Sequence, residues 1–376
     1  MTRARPLLVV VAFTALISFS VCANAIDFPD PGLAAAVCEA IGKPLGSVLD
    51  TDLVELAHLD ADGRSIACLE GIEHCTNLRT LDLDDNNIVD LVPLSALTNL
   101  EWLYLNGNDI EDIGPVSALA NLTRLYLGDN DIEDIRPLAD LTNLAWLNLD
   151  SNGIVDLAPL VGLSLLTRLY LGNNDIDDTT PLAGLVRLGW LNLRGNEIVR
   201  ITPLAGLTSL VCLNLDDNDI ENIAPLADLT NLTWLYLKGN DIEGIAPLVA
   251  LSHLTGLDLN SNEIVDLAPL SGLDDLTCLN LDDNDIGDIA PLAALTSLTW
   301  LYLNANDIED IGPLTDLAHL TWLNLDDNDI KDITPLEDLH SLRRLYLDRN
   351  ELDLTPGSPA GQVIAILQRR GVDVAY

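Results

Sequence analysis

Starting at Leu78, the chain restarts one pattern every 22 residues, thirteen times without an insertion or deletion, and the last copy opens at Leu342. The pattern is L-x-x-L-x-L-x-x-N-x-I/L, usually followed by a Pro-Leu pair. So strict a period constrains the fold more than any local propensity. Each repeat must be the same small unit, unable to bury its apolar side alone, so the units stack into a one-dimensional array around a continuous core. The first copy runs through Leu78, Leu81, Leu83, Asn86, Ile88, Leu91, Pro93, Leu94 and Leu97, and the next begins at Leu100.

Counting Leu78 as position 1, Leu81 and Leu83 point inward while Thr80, Asp82 and Asp84 point outward, the period-two alternation of a strand. The asparagine at position 9, present from Asn86 to Asn350, stands where the chain turns out of the strand and can satisfy buried backbone groups, a structural role. Pro115 and its equivalents fix φ and favour a short tight return over a long helix. Thirteen strands spaced about 4.8 Å apart give a parallel sheet on the order of 60 Å long. Arrays of this kind need caps. Asp30-Pro31 opens a helical pattern through Leu33, Val37 and Ile41, and Ser358-Pro359 opens another through Val363, Ile364 and Leu367 that ends at Gly371. The expected fold class is an α/β solenoid: a right-handed superhelix of leucine-rich repeats with a parallel concave β-sheet, a 3-10 or irregular convex side, a helical N-terminal cap and a short C-terminal cap. The expected divisions are residues 1–25, a signal peptide; 26–77, the N-terminal cap with a degenerate repeat; 78–350, the array; and 351–376, the C-terminal cap.

The cap text IDFPDPGLAAAV, the repeat text NDIEDIGPLTDL and the closing GVDVAY resemble bacterial internalin-like leucine-rich repeat proteins over essentially residues 26–376. The resemblance implies a secreted or surface-exposed recognition scaffold whose concave sheet binds another macromolecule, usually a protein. No immunoglobulin-like module or wall-sorting tail follows the repeats in this text, so invasion of host cells is not among the expectations.

Export is read from Arg3 and Arg5, an apolar run over residues 7–21 and the small-residue site Ala23-Asn24-Ala25. Cleavage after Ala25 is favoured over lipidation of Cys22, because Val21 is larger than a lipoprotein site normally accepts. No second apolar run approaches the roughly 20 residues needed to cross a bilayer. Cleavage takes two arginines and no acid from a net charge of −41, leaving −43. Nucleic acid is thereby excluded as a partner, since phosphate binding needs clustered Lys and Arg. Acids recur in register, as at Asp216-Asp217, Asp282-Asp283 and Asp326-Asp327. Carboxylates stacked about 4.8 Å apart repel by roughly 0.9 kcal/mol per pair in water before screening, so cations must help. The acids either solubilise a leucine-rich chain or bind calcium; no D-x-D-x-D-G loop supports the second, and no metal site is assigned.

Five cysteines remain after cleavage. Cys212 and Cys278 share a strand position three repeats apart, about 14 Å, too far for a bond. Cys38, Cys68 and Cys75 all fall in the amino-terminal cap, where one disulfide is expected in an exported protein, its pairing left open. No catalytic constellation is found. His58, His74, His253, His319 and His340 are read as avoiding the outward strand positions, and triad, zinc and phosphate-loop spacings are missing. No enzyme activity or cofactor is expected. The sequons at Asn121 and Asn231 are taken as incidental.

Function is expected where the outward letters vary. All six tryptophans, Trp102, Trp146, Trp190, Trp234, Trp300 and Trp322, fall at position 3. Six of seven tyrosines, Tyr104, Tyr126, Tyr170, Tyr236, Tyr302 and Tyr346, fall at position 5. Such rings either stack as a stabilising ladder, with Arg124 and Arg168 between tryptophans, or serve as binding hot spots. Cys212, Gly256 and Cys278 interrupt the position 3 column, which predicts a depression around Gly256 and Asp258 flanked by Trp234 and Trp300, where a partner inserts. The match of CLNLDDNDI at Cys212 and Cys278 offers repeat duplication as the other explanation. The expected molecule is a monomeric, non-enzymatic scaffold that binds a protein; a carbohydrate-binding module and a purely structural surface protein are the alternatives.

Overall fold

The computed structural model describes residues 25–46 and 48–376; the expected signal peptide lies outside them except for Ala25. Fifteen three-residue strands form one parallel, unclosed sheet in strict chain order. Strand β1 spans His58–Asp60, β2 spans Thr80–Asp82, and the series continues every 22 residues to β14 (Arg344–Tyr346); β15 (Asp373–Ala375) ends it. Thirteen repeats were legible from the leucines, and the two further strands come from the degenerate repeat and the closing segment. Register is perfect across the array, so Leu59 pairs with Leu81, Leu81 with Leu103, and so on to Leu323 with Leu345. The leucines at positions 1, 4 and 6 are fully buried in every copy between Leu100 and Leu320.

On the return side each repeat makes a short 3-10 turn, such as Gly114–Ala118, with proline in its first turn in all but the first, Ile72–His74. Proline supplies the preset φ, and the acid two residues before the turn supplies a cap. Asp112 accepts from the Gly114 backbone N–H at 2.7 Å, and Asp90, Asp156 and Asp288 do the same in their repeats.

Position 9 is the staple between repeats. The carboxamide of Asn218 donates to the carbonyls of Leu193, Leu215 and Asp216 at 3.0 to 3.1 Å and accepts the Ile198 N–H at 3.1 Å. Leu193 and Ile198 belong to the preceding repeat, so one side chain satisfies buried groups in two units. The same pattern begins at Asn86 and ends at Asn350. Position 7 adds a second bridge: Asp216 accepts the Lys238 N–H at 2.8 Å, and Asp282 accepts the Asn304 N–H at 2.6 Å.

Position 8 is left-handed in all thirteen repeats, which explains its Asp, Asn, Ser and Gly content. Ala305, at φ 54°, and Arg349, at φ 57°, are the departures.

Both ends of the stack are closed. Helix α1 (Pro31–Ile41) buries Leu33, Ala36, Val37 and Cys38. Its N-cap Asp30 accepts from Gly32 and Leu33 with one oxygen and from Ala67 and Cys68 with the other, tying the helix to the degenerate repeat. A single turn, α2 (Asp50–Leu53), leads into β1. At the far end α3 (Pro359–Arg369), capped by Ser358, buries Ala360, Val363, Ile364 and Leu367. Gly371, at φ 85°, then turns the chain so that β15 pairs with β14. The disulfide expected in the amino-terminal cap is not formed: Cys38, Cys68 and Cys75 are all free thiols. Cys38 and Cys75 are packed into the core while Cys68 faces solvent, and burial pushes the Cys75 thiol up to about 12.

Two expectations follow. Ala305→Gly removes a left-handed alanine and raises stability by about 0.5 to 1 kcal/mol in urea unfolding, whereas Gly107→Ala lowers it, since the new Cβ also meets Asp85 Oδ1 at 2.6 Å. Burial, reinforced by Asp258 and other nearby carboxylates, pushes Asp216 and Asp282 up to about 6 from 3.8. Folding therefore favours their protonated forms, and that stabilisation is lost as pH rises from about 4 through about 6. The melting temperature should rise as pH falls from about 7.5 to about 5, and Asp216→Asn with Asp282→Asn should flatten the rise while keeping both backbone bridges. A melting temperature that falls over that interval contradicts the assignment.

Candidate functional site

The outward face of the sheet carries two parallel columns of side chains, because in-register pairing repeats positions 3 and 5 from strand to strand. Trp102, Trp146, Trp190, Trp234, Trp300 and Trp322 all stand on the outward column of position 3, and none enters the leucine core. The tyrosines stand beside them at position 5, half-buried. Tyr104 and Tyr126 stack at 4.7 Å with planes 9° apart, and Asn148 separates them from Tyr170 at the end of β6 (Arg168–Tyr170). Burial pushes the Tyr126, Tyr236 and Tyr302 phenols up, keeping them neutral hydrogen-bonding groups at ordinary pH.

The aromatic face divides into two halves. In the first, Arg124 lies 4.3 Å from the Trp102 ring centre and 4.1 Å from that of Trp146, while Arg168 lies 4.2 Å from Trp146 and 5.1 Å from Trp190. Five consecutive strands thus carry a continuous Trp-Arg-Trp-Arg-Trp stack, each contact contributing about 0.5 to 1 kcal/mol. Trp146 has a guanidinium on both faces and offers a ligand only its edge. In the second half the stack is interrupted. Cys212 follows Trp190 in register, and the thiols of Cys212 and Cys278 are pushed up by burial, which leaves them poor nucleophiles. Trp300 is 45% exposed and Trp234 37%. Trp322 packs against Tyr302 at 6.2 Å and Tyr346 at 5.5 Å beneath Arg344 at 5.0 Å.

Two expectations need correction. The depression at Gly256 is filled: the indole of Trp234 lies over it, and a Cβ built there would sit 2.1 Å from two Trp234 ring carbons. Removing a side chain from one strand let its neighbour fold across the gap, so Gly256 is buried and no open socket faces a partner. Asp258 stays half-exposed on the same strand, its carboxyl pushed up mainly by burial while the Asn260 N–H at 3.0 Å opposes the shift. The second concerns histidine. His58 pairs with Thr80 and so does occupy position 3, on β1.

His58 also marks a feature that no motif spacing announces. Between α1 and strands β1 to β3 (β3 is Trp102–Tyr104) lies an open cavity of about 600 Å³ lined by Glu39, His58, Asp60, Asp82, Trp102 and Tyr104, among others. Carrying the 22-residue register one repeat upstream of Leu78 would have aligned His58 and Asp60 with the aromatic columns. The degenerate spelling of that repeat hid them.

Leucine-rich repeat family models match residues 98–140 and 230–272 (two-copy model), 296–352, and 74–90 and 275–289. An internalin (inlF) from Listeria monocytogenes aligns at 34% identity with a TM-score of 0.77, covering 93% of this chain and 95% of its own. An internalin C2 from the same organism aligns at 42% identity over 56% of this chain and 94% of its own, with a TM-score of 0.55. The functional domain of InlJ, also from Listeria monocytogenes and described as including a cysteine ladder, aligns at 27% identity over 86% of this chain and 70% of its own, with a TM-score of 0.77. A search of curated proteins returns no match. With the repeat period, the unclosed parallel sheet and these alignments in agreement, the chain belongs to the internalin-like family of leucine-rich repeat proteins.

Proposed function

We propose that this chain is an exported, non-enzymatic recognition scaffold that binds a protein partner through the concave aromatic face. The observation that carries the reading is the concentration of Trp and Tyr on outward strand positions, unbroken from β3 to β7 and resumed at Trp234 and from Trp300 onward, in a molecule whose core uses neither. An interior packed with leucine has no need of these rings. Exposed indoles, with a large apolar body and one N–H, are the side chains that dominate binding energy at protein interfaces. The stacked first half preorganises its rings and lowers the ordering cost of binding. The second half supplies the most exposed indole, Trp300, and Trp234, which has no guanidinium over it among the described residues. Export to the cell surface or beyond it is read from the amino-terminal text, and internalins as relatives fit that setting.

Carbohydrate is the second reading, favoured by the same exposed rings beside Asn214, Asp258 and Asn280 on neighbouring strands. Ring-on-sugar stacking with adjacent amides and carboxylates would serve a glycan as well as a protein.

The test couples capture of extracellular proteins by the immobilised chain to a glycan array. Trp300 has no ring partner in the stack, so Trp300→Ala should leave the melting temperature within about 2 °C while weakening the captured partner about tenfold or more. Val155→Ser on the return side should leave affinity unchanged. Partner binding insensitive to Trp300→Ala and Trp234→Ala but lost with Val155→Ser would overturn the reading, and glycan hits that respond to the same tryptophans would replace protein with sugar.

A further inference from the structure

We propose that the cavity between α1 and the first three strands binds an arginine side chain of a protein partner, its guanidinium seating on the uncovered face of Trp102 as one more rung of the Trp-Arg stack. The proposal rests on reading the concave face as a protein-binding surface and names the chemistry of one contact on it.

The stack itself shows what this surface accepts. Wherever an indole in the first half has an in-register neighbour long enough to reach it, that neighbour is arginine, with its guanidinium 4.1 to 5.1 Å from the ring centre. At the amino-terminal end the alternation stops. Trp102 is covered by Arg124 on the β4 side, where β4 is Arg124–Tyr126, but its partner on β2 is Thr80, too short to lie across an indole. Trp102 is 36% exposed, and both it and Thr80 line the cavity of about 600 Å³.

The electrostatics select a cation for it. Three carboxylates, Glu39, Asp60 and Asp82, line the cavity beside a single guanidinium, that of Arg64. Arg64 is paired with Glu39 at 2.7 Å and its charge also reaches Asp60, whereas Asp82 has no cation acting on it, and neither Asp60 nor Asp82 forms an ion pair among the described residues. Burial and the charges of Asp60, Asp62 and Asp85 push the Asp82 carboxyl up, as befits an anionic group without a counter-ion. A planar guanidinium meets the indole face and the carboxylates together, which a compact ammonium does less well. The surrounding field, from 59 acidic against 18 basic residues, draws a basic segment in.

The test uses isotope-labelled protein and the probe peptide acetyl-Gly-Arg-Gly-amide, with lysine and citrulline in place of arginine as controls. The indole N–H resonances are followed by NMR, that of Trp102 being assigned by its loss in Trp102→Phe. The arginine peptide should move the Trp102 signal and leave those of Trp234 and Trp300 in place. The lysine peptide should bind about threefold more weakly and the neutral citrulline peptide about tenfold more weakly. Asp60→Asn with Asp82→Asn should weaken the arginine peptide about tenfold. Thr80→Arg supplies the rung from the chain itself and should abolish binding; should that variant not fold, the double asparagine variant decides. Equal affinity for arginine and citrulline, no movement of Trp102 at millimolar peptide, or unchanged binding in the double variant overturns the proposal. Loss of partner capture in Trp300→Ala is read separately, so this contact can fail while the wider protein-binding reading stands.

Discussion

The asparagine at position 9 is the interaction on which the rest of the molecule depends. Each carboxamide donates to three carbonyls and accepts one N–H, two at Asn86, reaching into its own repeat and the one before it. In net terms such a bond contributes about 1 kcal/mol, but an unmade one leaves a buried backbone group unpaired at a cost of about 1 to 3 kcal/mol. A repeat longer or shorter by one residue would break both sets of bonds. The spacing is therefore locked at 22 residues, and perfect register follows.

Perfect register has a double consequence: whatever stands at a position in one repeat stands beside its counterpart in the next. For leucine this yields a gapless core. For acids it yields like-charge columns, and position 7 shows how the fold contains the repulsion. Asp216 and Asp282 are held by a backbone N–H of the following repeat, yet burial still drives them toward protonation. For aromatic rings register yields stacks, and the chain alternates indole with guanidinium across five strands, so that Arg124 and Arg168 cover flat apolar faces. The concave face is thus partly self-occupied. Its free chemistry lies where the alternation fails: at the amino-terminal end beside Thr80, and beyond Cys212.

The fold was legible because its determinants are local and repeated thirteen times. Leu81 and Leu83 announce the strand, Pro115 the tight return, Asn86 the turn, and Ser358-Pro359 the closing helix. The two extra strands were harder to read, since β1 keeps Leu56 and Leu59 but has Ala61 at position 6, and β15 follows the closing helix with no repeat spelling at all. At the face, the outward placement of tryptophan and tyrosine followed from alternation alone, and so did the arginine ladder. What failed was the depression at Gly256. Counting side-chain volume column by column treats neighbours as fixed, whereas an indole beside a glycine rotates to fill the space. The disulfide expected in the cap failed for a related reason: proximity in sequence says nothing of which thiols face the core.

The central claim is that one register places every indole on the outward wall, clamped by arginine in the first half and most open at Trp300 in the second. Hydroxyl-radical footprinting of the intact protein, read residue by residue by mass spectrometry, tests it most directly. The account predicts that Trp300 oxidises several-fold faster than Trp146, whose two faces are covered, with Trp102 and Trp190 between them. Equal protection of all six indoles, or a Trp146 as reactive as Trp300, would contradict it.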